Sequence, residues 1–225
     1  NNIASSEIII YGEQEIGMSD LKEFGGTNTT DINIIGGNKE AQIIITGNGY
    51  TRIDTMNENM IVTFKNIDID SETTLSSSSA WEYLYTKFDG NFNFINVTFS
   101  HPIGLASDTS NYNFTNCHIV GHSSSKYGIW LYAGNTVFEG CTFTGYRALK
   151  MHDYSGFKGD VVINNCTFDS ITTKPGVVVG DVVYGETTLK ITNNTFINAN
   201  VPGDQNNYTY ESDSMAPTEY TNNIV

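Results

Sequence analysis

One eight-residue phrase, which occurs six times between residues 62 and 196, constrains the fold of this chain more than any other feature. Its first and third positions are mostly apolar, its fifth is Asn or Gly, and its sixth and eighth are again mostly apolar. The copies read VTFKNIDI, FNFINVTF, YNFTNCHI, TVFEGCTF, VVINNCTF and LKITNNTF, and they end at Ile69, Phe99, Ile119, Phe143, Phe168 and Phe196. Apolar and other residues alternate on both sides of the fifth position, which predicts two short, half-buried strands that meet at a bend.

The spacing of the copies predicts how these strand pairs are arranged in space. Successive fifth-position residues are 20 to 30 residues apart, and they are Asn66, Asn96, Asn116, Gly140, Asn165 and Asn193. A repeat of this length is typical of a solenoid in which each copy contributes one coil. Asn and Gly tolerate the left-handed backbone conformation, so we expect the chain to reverse its inward and outward faces at this position.

Stacking of the coils predicts columns of equivalent side chains. The sixth-position residues are expected to lie above one another at about 4.8 Å, the distance between neighbouring strands, and they include Ile67, Val97, Cys117, Cys141 and Cys166. The fifth-position Asn side chains are expected to form an internal ladder of amide hydrogen bonds. The chain has three cysteines, an odd number, so we interpret them as small buried hydrophobic residues and not as a disulfide framework.

With this pattern, roughly residues 30 to 200 resemble the right-handed parallel β-helix of the pectin lyase-like superfamily, which has an Asn ladder and aliphatic or aromatic core stacks. The resemblance implies an all-β chain folded as a single-stranded right-handed parallel β-helix, or solenoid. It implies little about activity, because one fold can carry many functions.

We expect a single domain with three parts. Residues 1–30 would form an N-terminal strand and cap, residues 31–200 the parallel coils, and residues 201–225 a C-terminal cap or linker. The segment Met18–Phe24, with Ser19 or Asp20 as its N-cap, is predicted to be a short capping helix. A cap at this place would cover the end of the solenoid and its backbone groups.

Composition limits the partners and the location of the protein. The chain has 25 acidic and 11 basic residues and a formal charge of −14, which makes nucleic acid and anionic membranes poor partners. No apolar run is long enough to span a membrane. The abundance of Asn, Ser, Thr, Gly and Tyr favours a secreted or cell-surface bacterial protein, and the start at Asn1 suggests a mature fragment. The outward positions show no continuous apolar stripe, so a monomer is expected and a trimeric fibre is ranked lower.

A third strand before each phrase carries the candidate ligand-binding residues. If Ile129, Leu131, Leu149 and Met151 point inward, the alternate residues face solvent, with Trp130 beside Lys150 and Tyr132 beside His152. An exposed Trp and Tyr next to charged groups would suit a sugar, since aromatic faces stack on pyranose rings. The predicted ligand-binding residues are Trp130, Tyr132, His152, Asp153 and Asp181.

The resemblance also implies a catalytic alternative on the same face. In pectin lyase-like enzymes this face is the substrate groove, so Lys150 is the matching candidate base for β-elimination on an acidic glycan. Arg147 would stabilise the developing enolate or act as the base in place of Lys150. Arg147 and Lys150 are, however, one residue further apart than the Arg-x-Lys motif of related hydrolases. We therefore expect a non-catalytic glycan-binding or structural, adhesin-like module, with a small polysaccharide lyase as the alternative.

No cofactor is expected from the sequence. The acidic cluster typical of calcium-dependent lyases is not evident on the third strand. Asp68, Asp70 and Glu72 alternate along one strand and are candidate Ca²⁺ ligands, but they lack the Gly-rich loop spacing of known calcium motifs.

Overall fold

The computed structural model describes residues 4–17, 29–46, 51–54, 59–71, 86–121, 127–152, 155–171, 176–180, 182–197, 210–212 and 217–224. Regular structure in these ranges is entirely β-strand, and the strands pair in parallel to form a β-solenoid. The helix predicted at residues 18–24 lies outside the described residues, and no helix occurs in the described part of the chain.

Two sheets run along the solenoid. In the larger sheet, the strands before the bend of each coil, some of which continue through it, are β1 (Ala4–Ile10), β3 (Thr29–Gly36), β6 (Ile61–Ser71), β8 (Asn91–Phe99), β10 (Asn111–Thr115), β13 (Asn135–Glu139), β16 (Phe157–Asn164), β19 (Val182–Thr192) and β22 (Glu219–Thr221). The strands after the bend are β2 (Glu13–Gly17), β4 (Gln42–Thr46), β11 (His118–Gly121), β14 (Thr142–Gly145), β17 (Thr167–Asp169) and β20 (Thr195–Ile197). The second sheet contains β5 (Thr51–Asp54), β7 (Thr86–Asp89), β9 (Ile103–Leu105), β12 (Ile129–Leu131), β15 (Leu149–Met151), β18 (Val177–Val179) and β21 (Tyr210–Ser212).

The core consists of equivalent residues stacked from coil to coil. Phe94, Phe114 and Phe138 occupy the third position of successive phrases, and their ring centroids are 4.7 and 4.8 Å apart. At the eighth position, the ring of Phe168 lies 4.6 Å from that of Phe143 and 4.7 Å from that of Phe196. Each such ring pair contributes about 0.5–1.5 kcal/mol beyond the area that it buries. In-register stacking of the phrase, as predicted, therefore builds the core.

The bend at the fifth position has the predicted backbone conformation. The φ angles there lie between 52° and 64° at Asn66, Asn96, Asn116, Gly140, Asn165 and Asn193. The prediction that these Asn side chains are internal is wrong, because all five are exposed. A left-handed residue interrupts the alternation of the strand, so the fourth and fifth positions both point outward. Amide bonding occurs on this surface, where Asn96 Nδ2 donates to Asn66 Oδ1 at 3.0 Å.

The internal polar ladder lies one residue further along, at the sixth position. Cys117, Cys141 and Cys166 are buried there, as predicted, and Asn194 continues the column with 0 % exposure. Sixth-position side chains also bond to the backbone of the preceding coil: the Cys166 N–H donates to Asn194 Oδ1 at 2.8 Å, and the Cys141 N–H donates to Cys166 Sγ at 3.3 Å. The cysteines are therefore rungs of a hydrogen-bonded ladder as well as apolar filling.

Candidate functional site

Trp130 lies on the outer face of the second sheet, in the middle of three short neighbouring strands, β9, β12 and β15. In β12, Ile129 and Leu131 belong to the main core, so Trp130 between them lies on the opposite face. Parallel pairing aligns Trp130 with Gly104 on one side and with Lys150 on the other. The predicted neighbourhood of Trp130 and Lys150 is therefore present in the structure.

The prediction that the aromatic residues of this face are exposed is wrong. The exposed fractions are 1 % for Trp130, 7 % for Tyr132 and 8 % for His152. Trp130 and Tyr132 form a second buried cluster with Tyr127 and Val178, separate from the main core. Strand alternation identifies the face on which a side chain lies, but burial also depends on what packs over that face.

We call these four residues, Tyr127, Trp130, Tyr132 and Val178, the outer aromatic cluster. Contacts between its rings exclude solvent from them. The Trp130 and Tyr132 rings are stacked, with centroids 5.3 Å apart and planes inclined by 8°. Tyr127 meets Trp130 edge to face at 6.2 Å. The Trp130 indole Nε1 donates a hydrogen bond to the backbone carbonyl of His152 at 2.7 Å, which satisfies its polar atom. The cluster is thus a packed element of the fold.

Two cations lie over this cluster. Lys150 Nζ is 4.3 Å from the centroid of the Trp130 ring and 5.8 Å from that of Tyr127. Arg147 Cζ is 5.2 Å from the same Tyr127 ring. Both side chains are half-buried. Contacts of this kind contribute about 0.5–2 kcal/mol each. Among the described residues, two partly accessible cations therefore lie over the cluster.

Gly180 allows His152 to occupy its place beside Trp130. A Cβ atom at Gly180 would lie 2.5 Å from His152 Nδ1, so any larger residue would displace the ring. The His152 ring centroid lies 5.8 Å from that of Trp130. Asp153 and Asp181, the two carboxylates predicted here, lie outside the described residues.

The backbone register adds two basic positions that the sequence analysis missed. Pairing of β5 with β7 aligns Arg52 with Lys87, and pairing of β7 with β9 aligns Lys87 with Gly104. One series of aligned backbone positions therefore runs across the second sheet, from Arg52 and Lys87 through Gly104 to Trp130 and Lys150. We call this series the column of Trp130. The signal in the sequence was a basic residue directly before an apolar one, in Arg52-Ile53 and Lys87-Phe88.

Metal-binding groups and membrane-spanning helices were sought in the described ranges alone. There, no group of three or more His, Cys, Asp or Glu side chains is arranged to hold a metal ion. Over the same ranges, no helix has the length and apolar character that crossing a membrane requires.

Comparison with known proteins gives one match. A family model described as a right-handed β-helix region matches residues 83–225, which is more than half of the chain and includes Trp130, Arg147 and Lys150. No curated protein and no solved structure matches the chain.

Proposed function

Since the chain belongs to the right-handed β-helix family, we propose that it is a secreted or cell-surface module that binds a glycan without cleaving it. The ligand contacts the outer face of the second sheet, around Lys150 and Arg147. Carbohydrate is the proposed partner, and neither nucleic acid nor a membrane takes part.

The observation that carries this proposal is the position of Lys150 over the ring of Trp130, at 4.3 Å. Arg147 shares the Tyr127 ring with it, so two cations are held close together on a buried aromatic base. The chain has only 11 basic residues against 25 acidic ones, so two of its few cations share one aromatic cluster. A carboxylate or a hydroxyl group of a sugar is the complementary ligand.

The buried rings change how recognition would work. Trp130 and Tyr132 are covered, so they do not offer an open platform for a pyranose ring. They instead hold Lys150 in place, and a charged side chain held in advance loses less conformational entropy when it binds a ligand. The proposed specificity is therefore for a charged or hydroxyl group on the sugar and not for its apolar face.

The same contacts favour binding over catalysis. A lysine that abstracts a proton must first be neutral. Lys150 Nζ lies over the rings of Trp130 and Tyr127, an arrangement that attracts a cation and not a neutral amine. A polysaccharide lyase acting by β-elimination remains the second candidate, and the proximity of Arg147 and Lys150 on the Tyr127 ring is the observation that favours it.

The test is a screen of immobilised acidic and neutral polysaccharides, run beside an ultraviolet assay for unsaturated uronide products. Wild type, Lys150→Gln and Lys65→Gln are compared, where Lys65 is an exposed lysine of the first sheet and serves as the matched control. We expect binding by wild type and Lys65→Gln, loss of binding in Lys150→Gln, and no product. Release of unsaturated product that Lys150→Gln abolishes would establish the lyase. Equal binding by all three proteins would remove Lys150 from the site.

A further inference from the structure

Outward positions of three neighbouring strands of the larger sheet, β8, β10 and β13, carry a grid of asparagine side chains. Residues 91–93 read Asn-Phe-Asn, residues 111–113 read Asn-Tyr-Asn, and the next strand begins with another Asn at residue 135. Phe92 and Tyr112 point into the core with 1 % and 0 % exposure, so the asparagines beside them face outward. We call five residues the amide grid: Asn91, Asn93, Asn111, Asn113 and Asn135.

Hydrogen bonds between coils hold the amides of this grid in place. Asn113 Nδ2 donates to Asn93 Oδ1 at 2.9 Å. In the neighbouring row, Asn135 Nδ2 donates to Asn111 Oδ1 at 3.3 Å, and Asn111 Nδ2 donates to Asn91 Oδ1 at 3.2 Å. Amides of one row repeat at about 4.8 Å, the distance between neighbouring strands. Side chains that are ordered before a ligand arrives lose less conformational entropy when it binds.

The amide grid is accessible and retains hydrogen-bonding groups. Asn111, Asn113 and Asn135 are exposed, and Asn91 and Asn93 are partly exposed. An amide has two N–H donors and an oxygen with two lone pairs. Bonds to other described residues use one N–H and at most one lone pair in Asn111, Asn113 and Asn135. Each of these three amides therefore offers an uncharged donor and an uncharged acceptor to a molecule that lies on the sheet.

The chemistry of the amide grid determines the class of ligand that it suits. The five residues carry no charge, in a chain whose formal charge is −14, so an anionic ligand finds no counter-charge within the grid. The backbone of β10 is paired on both sides, with β8 and β13, so a peptide strand cannot be added there. A sugar hydroxyl is uncharged and both donates and accepts, as an amide does. The complementary ligand is therefore a neutral glycan.

We propose that the amide grid binds a neutral polysaccharide that lies along the solenoid, across β8, β10 and β13. A single bond between an amide and a hydroxyl group is weak in water, because both groups also bond to water. A polymer that meets several amides at once gains from their number. The inference goes beyond the proposed function, because the amide grid lies on the larger sheet and Lys150 lies on the second sheet.

The test measures binding of the full chain to three insoluble neutral glycans, cellulose, chitin and mannan, and to immobilised polygalacturonate as the acidic one. The double variant Asn111→Thr/Asn113→Val removes two amides from the middle of the grid. Later coils carry Thr188 and Val137 at these two positions, so the sheet accepts both side chains. The matched control is Asn38→Ala, at an exposed Asn outside the grid, whose Oδ1 accepts a hydrogen bond from the Gly12 N–H.

We expect wild type and Asn38→Ala to bind at least one of the neutral glycans with equal affinity. The double variant should bind it about tenfold more weakly, because two hydrogen-bonding amides are lost. Its circular dichroism spectrum should match that of wild type, which shows that the strands are intact. Absence of neutral-glycan binding by wild type, equal binding by the double variant, or an equal loss in Asn38→Ala overturns the proposal.

The polygalacturonate arm separates this proposal from the proposed function. The double variant and wild type should behave alike towards polygalacturonate, because the amide grid and Lys150 lie on different sheets. Absence of polygalacturonate binding in wild type bears on the Lys150 site alone. A loss of polygalacturonate binding in the double variant would show that its effect is not confined to the grid, and would overturn the proposal.

Discussion

The ammonium group of Lys150 lies 4.3 Å from the ring centroid of a tryptophan, Trp130, that is itself 1 % exposed. Trp130 therefore acts on the surface of the molecule through the cation that it holds. The Trp130 Nε1 bond to the His152 carbonyl, at 2.7 Å, sets the position of the indole. Changes to the ring should consequently affect both stability and the proposed glycan binding.

Replacement of Trp130 by Phe should destabilise the protein by about 1–3 kcal/mol, because the His152 carbonyl loses its donor and the smaller ring leaves a void. Urea unfolding followed by circular dichroism measures this loss. Tyr11→Phe, at a 62 % exposed position, is the control and should change stability by less than about 0.5 kcal/mol. Equal stability of the two variants would contradict the packed geometry of the outer aromatic cluster.

Replacement of Gly180 by Ala should also destabilise the protein, by about 1–3 kcal/mol, since the new Cβ would lie 2.5 Å from His152 Nδ1. The matched comparison is a double-mutant cycle with His152→Ala, which removes the ring contacts and leaves only the residue-152 Cβ, at 3.0 Å from the new Cβ. We expect Gly180→Ala to lower the free energy of unfolding clearly less in the His152→Ala background than in wild type. An identical loss of unfolding free energy in both backgrounds would show that the new Cβ does not clash with the His152 ring.

The ladder predicts that amide and thiol side chains are interchangeable at the sixth position. Cys166→Asn should stay within about 1 kcal/mol of wild type, because Asn can accept from the Cys141 N–H and donate to a carbonyl as Cys166 does. Cys166→Ala should lose about 1–3 kcal/mol through the void and the unpaired groups. Chemical denaturation of both variants gives the order of stability. The reverse order would show that the thiol acts only as apolar filling.

At the bend, Asn165→Gly should be nearly neutral, whereas Asn165→Ala should cost about 1 kcal/mol. The reason is the φ of 52° at Asn165, which Gly adopts freely and Ala does not. Gly140 fills the equivalent position in the neighbouring coil with a φ of 64°. Thermal unfolding of both variants measures the difference, and equal melting temperatures would argue against a left-handed bend at this residue.

Alkaline pH should destabilise the protein through Tyr112. Burial raises the pKa of its hydroxyl above the ordinary value of 10.0, while hydrogen bonds, first of all with Ser107, oppose this rise. The folded state therefore keeps a proton that the unfolded state releases, so stability is intact below pH 10 and declines as the pH rises above it. Unfolding free energies measured across this range should fall less steeply in Tyr112→Phe. Parallel curves for the two proteins would assign the alkaline loss to other groups.

Much of the fold was predictable from the phrase because its signals are local. Alternation around Phe94 and Phe99 predicted which side chains point inward, and both are 0 % exposed. The fifth-position Asn predicted the left-handed bend, and register then followed from stacking the copies. The location of the internal amide ladder was not predicted, because the left-handed residue turns Asn96 outward and leaves the sixth position as the inward one.

The candidate site was also predictable only in part. The sequence by itself determined that Trp130 and Lys150 lie side by side on the outer face, since a strand period of two and a constant coil register are enough to align them. Only the tertiary structure decided that Trp130 is covered and that Arg52 and Lys87 share its column. Periodicity describes a residue's own strand, whereas burial depends on segments far away in the chain.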